Sequence, residues 1–155
     1  MRTLEQDRSK FAYNSILKVK NREKEIQKKY SSYVKNAPIL IMSNGLAQTL
    51  AFHLSKMKMK LETDYKTVKT EIEKYENGQQ NAFESRMEKV AYAYLFSQIS
   101  EWLAEKRKLT NSKDPLKFVT DEVRVDDVML LTNETIELLN WMRRFADAML
   151  EKEED

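Results

Sequence analysis

The chain has 155 residues, 41% of them apolar and 34% charged, and a formal net charge of +2. That length suits one compact domain with a real core, and that balance excludes an acidic disordered tail or a membrane protein. With no cysteine there is no disulfide framework, thiolate nucleophile or cysteine zinc site, and two glycines and two prolines are too few to turn a strand-rich fold.

Helices are therefore expected throughout, and the chain reads as an all-α, compact single-domain bundle of about six or seven helices over residues 1–155. Thr3-Leu4-Glu5-Gln6 is a capping box, with Gln6 placed to reach back to the cap. Leu4, Phe11, Ala12, Ile16, Val19, Ile26, Tyr30, Tyr33, Val34 and Ala37 then mark one helical stripe, interrupted near Asn21 by the polar run Lys20–Glu25. Pro38 disfavours helical geometry at Ala37, which predicts an end to that element and a short new helix from Pro38. Asn44-Gly45 reads as a turn or helix junction, with Leu46, Leu50 and Leu54 giving the next helical face. Lys56, Lys58 and Lys60 are expected in a loop.

Residues 64–77 form a weaker helix, with Tyr65, Val68, Ile72 and Tyr75 as its stripe and Asn77-Gly78 as its stop. The segment 79–108 predicts a long helix, apolar on two sides and so central. Asp114-Pro115 supplies a cap and a first-turn proline for a short helix to about Thr120. A break near Thr132 is expected to precede a last helix from Asn133 to about Glu151. Trp102 and Trp141 are read as core anchors.

Charge is unevenly distributed. Residues 8–60 carry twelve basic side chains against two acidic ones, a net of +10, whereas 121–155 carry eleven acids against four bases, a net of −7. A basic surface for an anionic partner and an acidic face elsewhere are the expectation, weighed against ordinary solvated helix faces. No stretch is long and apolar enough to read as a membrane span, and Arg2, Glu5, Asp7, Arg8 and Lys10 argue against a secretory leader, so a cytoplasmic protein is expected.

Catalytic groupings are hard to assemble from these residues. His53 is the one histidine, and it reads as a satisfied helix-face or interface residue rather than a zinc ligand. No Gly-x-Ser-x-Gly elbow or phosphate-cradling glycine loop occurs. Asp121, Glu122, Asp126 and Asp127 cluster in sequence, but magnesium sites use few carboxylates and lean on substrate phosphate, so a solvated acidic surface is the simpler reading. Lysines on a helical face bind phosphates without reading sequence, and Asn44, Gln48 and Thr49 can add short hydrogen bonds to phosphate or ribose.

Four blocks together resemble the small subunit of the type III-B CRISPR (Cmr) RNA-targeting complex. They are Thr3-Leu4-Glu5-Gln6-x-Arg8-x-Lys10-Phe11-Ala12, Tyr30-x-x-Tyr33-Val34-x-x-x-Pro38, Asn44-Gly45-Leu46-x-Gln48-Thr49-Leu50-Ala51-Phe52, and Thr132-x-Glu134 with Leu138-Leu139-x-Trp141-x-x-Arg144-Phe145-Ala146. The Asn-Gly-Leu block is the specific one. Where that family commonly has Tyr-Arg before its last helix, this chain has Val123-Arg124.

The resemblance implies a helical protein with no active site of its own and no cofactor or metal. Its partners would be the backbone and large subunits of the complex, copies of itself stacked head to tail, and guide RNA and target RNA, with no membrane. The residues expected to touch RNA are Lys10, Lys18, Lys20, Lys24, Lys35, Asn44, Gln48, Arg143 and Arg144. The acidic face 121–155 would meet a basic face on the next copy or on the large subunit. Rival readings are the small subunit of the related type III-A complex, a helical adaptor that binds only protein, and a metal-dependent nuclease built on Asp126 and Asp127.

Overall fold

A computed structural model describes residues 1–59, 64–79, 82–121 and 123–153. Among these there are seven α-helices and no strand: α1 (Leu4–Lys20), α2 (Lys24–Asn44), α3 (Leu46–Met57), α4 (Tyr65–Glu76), α5 (Met87–Glu101), α6 (Pro115–Thr120) and α7 (Val125–Met149). The all-α expectation holds, within the expected number of helices.

The capping box forms as read, with Gln6 N–H donating to Thr3 Oγ1 at 3.1 Å and Thr3 N–H donating to Gln6 Oε1 at 2.8 Å. Asn21 ends α1, as the polar run suggested. Asp114 caps α6 through Lys117 N–H at 3.1 Å, and Pro115 opens its first turn. The same carboxylate also accepts Tyr65 N–H at 2.9 Å, so one buried side chain serves the starts of α4 and α6.

Three boundaries differ from the sequence reading. Pro38 does not end a helix: α2 runs through it to Asn44. The prolyl nitrogen leaves one carbonyl of the ladder without its donor. Burial of Val34, Ala37 and Ile41 on one continuous stripe outweighs that loss. Likewise there is no break at Thr132, whose hydroxyl donates to Val128 O at 2.8 Å, one turn back inside an unbroken α7.

The third difference lies in 79–108. Ala82–Ser85 form a separate 3₁₀ turn with Phe83 and Glu84 at left-handed φ of 54° and 52°. α5 then starts at Met87 and runs on into a π-turn over Trp102–Lys106, closed by Leu109 N–H to Leu103 O at 2.9 Å, with Lys108 left-handed between them. Lys56 belongs to the last turn of α3 and Lys58 is its left-handed cap, so neither lies in the expected loop, while Lys60 falls outside the described residues.

α5 is central. Every residue from Ala91 to Ser100 is buried, and α2, α3 and α4 pack around it. α1 packs along α7, and α7 also touches α2. Gly45 joins α2 to α3 at φ +90°, ψ 163°, its N–H donating to Ile41 O at 2.8 Å. A Cβ there would meet no neighbour, so glycine is needed for its backbone conformation rather than for space.

Two polar groups inside the core set its chemistry. Glu134, on the otherwise acidic 121–155 segment, is not on the surface: it is 3% exposed. Arg8 grips it with a two-pronged fork (Nε to Oε1 2.9 Å, Nη2 to Oε2 2.8 Å), and Trp102 Nε1 donates to Oε1 at 2.9 Å. Burial pushes this carboxyl up, but the bonds from Arg8 and Trp102 and the charges of Arg8 and Arg107 hold it below its ordinary value.

His53, by contrast, is not the satisfied residue expected. It is 1% exposed beside Tyr92, its Nδ1 has no hydrogen-bond partner among the described residues, and burial lowers its pKa to about 4.

Replacing Glu134 with Gln leaves Arg8 without its carboxylate and is expected to cost about 3 kcal/mol. The urea midpoints of Glu134→Gln and of an Arg8→Met/Glu134→Leu double variant test this, the double costing less because neither charge is orphaned. His53 is depressed in the folded state, so the unfolded chain takes up its proton first as pH falls below about 6.5. Stability is expected to drop by about 2 kcal/mol between pH 7 and pH 5 from this group alone. Urea unfolding of His53→Met at the two pH values should show a difference smaller by that amount.

Candidate functional site

A groove of about 560 Å³ lies between α2 and the end of α7. From α2 it takes Lys28, Ser31, Ser32 and Lys35, spaced three or four apart and so on one face of that helix. From α7 it takes Arg143, Arg144 and Asp147, and Lys152 and Glu153 follow where the chain leaves the helix.

Five cations against two carboxylates leave the groove positive. Two of the cations are partly neutralised, Lys28 by Glu25 at 3.7 Å and Lys152 by Asp147 at 3.1 Å. Lys35, Arg143 and Arg144 have no ion-pair partner among the described residues, and all three are exposed. Two serine hydroxyls lie on the same wall; that of Ser31 donates to Glu151 O at 3.2 Å. Guanidinium forks and lysines around hydroxyls can hold phosphate oxygens at several points along a strand.

All nine residues singled out from the sequence are on the surface. Three of them, Lys35, Arg143 and Arg144, meet in this groove; the other six do not line it. Lys10 stands on α1, and Lys20 and Lys24 bracket the turn between α1 and α2. Asn44 and Gln48 flank the Gly45 junction. Lys18 borders a separate, smaller hollow of about 110 Å³ whose wall includes Glu73, Glu76 and Glu101.

Lys28 and Lys152 are groove residues that the sequence reading did not single out. Lys28 had a signal, its seven-residue spacing from Lys35 on one helix face. Lys152 had none, because it lies past the end of α7 where periodicity no longer applies.

The acidic cluster does not converge on a metal-binding group. Asp121 pairs with Lys113 at 3.7 Å and Asp126 with Arg124 at 3.6 Å, and Glu122 lies outside the described residues. Among the described residues no set of three or more His, Cys, Asp or Glu side chains is placed to hold a metal ion. No helix among them is long and apolar enough to cross a membrane.

The family model described as CRISPR-associated protein (Cas_Cmr5) matches this chain over residues 4–149, from the first residue of α1 to the last of α7. Its span takes in the capping box's first helix, the Gly45 junction, the Glu134 fork and most of the basic groove. With nearly the whole fold covered, the chain belongs to the Cas_Cmr5 family, the small structural subunit of the type III-B CRISPR (Cmr) complex, and so assembles with other Cmr subunits.

Proposed function

We propose that this chain is a non-catalytic brace of the Cmr complex, one helical domain over residues 1–155 that stacks beside the backbone filament in the cytoplasm and steadies the guide RNA and target RNA. The observation that carries this reading is the meeting of Lys35, Arg143 and Arg144, none paired with an acid among the described residues, in one groove with Lys28 and two serine hydroxyls. Such a site holds phosphates by charge and short hydrogen bonds and is indifferent to base sequence. That suits a subunit serving any guide.

Stacking on further copies needs two unlike surfaces. The most exposed apolar side chains on the helices include Ile39 and Met42 on α2 and Val125, Met129 and Leu130 on α7. The first pair has Lys35 one turn away, and the second group is interleaved with Asp126 and Asp127. This pairing of apolar patches with opposite charge supports a head-to-tail contact.

A Lys35→Glu/Arg143→Glu/Arg144→Glu variant is expected to lose RNA affinity on the order of tenfold at low salt. Its log K against log salt slope should flatten by about 0.7 for each phosphate the groove no longer holds. Fluorescence anisotropy with single-stranded and guide-paired RNA across a salt series reads both quantities. A Lys18→Glu/Lys20→Glu/Lys24→Glu variant should lose less, because those lysines lie outside the groove. If the groove triple keeps wild-type affinity and slope, the chain braces the complex through protein contacts alone. Incubated with RNA and magnesium or manganese, the purified chain is expected to leave the RNA intact on a denaturing gel; cleavage abolished by Asp126→Asn/Asp127→Asn would establish the nuclease reading instead.

A further inference from the structure

Besides Asp147 on α7, the groove is lined by an acid that lies past the end of that helix. At Leu150 the backbone leaves the helix for an extended conformation (φ −106°, ψ 156°), and Leu150 itself is buried. The next residues do not run into solvent but are tied to α2. Glu151 N–H donates to Gln27 Oε1 at 3.0 Å, and Glu151 O accepts the Ser31 hydroxyl at 3.2 Å. Gln27 is fixed in turn, its Nε2 donating to Lys20 O at 3.1 Å and Arg22 O at 3.0 Å. Lys152 is drawn back to Asp147 at 3.1 Å. Glu153 follows this anchored pair and lines the same groove as Lys35, Arg143 and Arg144.

We propose that residues 151–153 form an anchored strap whose Glu153 carboxylate acts as a charge gate, competing with phosphate for the cations of the α2–α7 groove. This rests on the groove being an RNA site and adds a selection step to it. A carboxylate held beside the groove acts at an effective concentration on the order of millimolar. A lone phosphate ion or mononucleotide brings one anionic group and loses that contest. An RNA strand brings several phosphates linked along one chain and wins it. The gate therefore favours polymer over the small phosphates abundant in any cell.

The test uses the purified full chain, fluorescein-labelled single-stranded RNA and inorganic phosphate as competitor. Glu153→Gln is expected to raise RNA affinity about three- to tenfold at low salt and to let millimolar phosphate compete where it does not compete with the wild type. Glu151→Gln removes the same charge from the same strap at a residue that does not line the groove, so its gain should be much smaller. The Glu153→Gln gain should vanish in the Lys35→Glu/Arg143→Glu/Arg144→Glu background. Equal gains from Glu151→Gln and Glu153→Gln would reduce the effect to net charge and overturn the gate. No gain from Glu153→Gln, with the groove triple still impaired, overturns the gate and leaves the groove standing. A groove triple that binds RNA like the wild type removes both. Thermal unfolding of each variant checks that the fold is intact.

Discussion

The fold turns on the fork between Arg8 and Glu134. A carboxylate this far inside the protein is tolerable only when its lone pairs are occupied and its charge answered, and Arg8, Trp102 and Arg107 do both. These four residues come from α1, from the π-turn that continues α5, from just beyond that turn, and from the middle of α7. A slip of one residue along either long helix would pull the fork off its carboxylate. The contact thus sets the register of α1 against α7 as well as holding them together. Since only Asn21–Glu23 separate α1 from α2, fixing α1 also restricts where α2 can lie, and with it the spacing of the basic groove.

Further buried polar links pin the layers on the other side. Tyr30 on α2 donates to Gln98 Oε1 on α5 at 2.5 Å, and Gln98 Nε2 donates to Ser15 O on α1 at 3.1 Å. One amide therefore ties three helices. Its donor and acceptor both have specific partners, so alternative packings of this apolar interior forfeit hydrogen bonds as well as close packing. Tyr33 stacks on Tyr92 with ring centroids 3.7 Å apart and extends the same α2–α5 seam towards His53, whose ring Nδ1 is buried without a hydrogen-bond partner among the described residues.

Much of the architecture was legible in the sequence because its signals are local. Thr3 and Gln6, Asp114 and Pro115, and Asn44-Gly45 each act within a few residues, and each does what its chemistry suggested. The misjudged boundaries at Pro38 and Thr132 were also local signals, but there burial across the whole helix outweighed them. Glu134 was unreadable for a different reason: a lone acid in an acidic stretch looks solvated until its partner 126 positions away is known. The candidate site was half legible. Lys35, Arg143 and Arg144 could be named as surface cations, but the packing of α7 against α2 that gathers them is a property of the fold. Nothing in the one-dimensional pattern separated them from Lys10 or Lys18.

Ten consecutive residues of α5 are shut away on every side. That stretch has no outer surface with which to meet another molecule, so everything the subunit recognises must be written on the peripheral helices. Those helices can exchange charges and change partners over generations while the axle they turn around stays as it is.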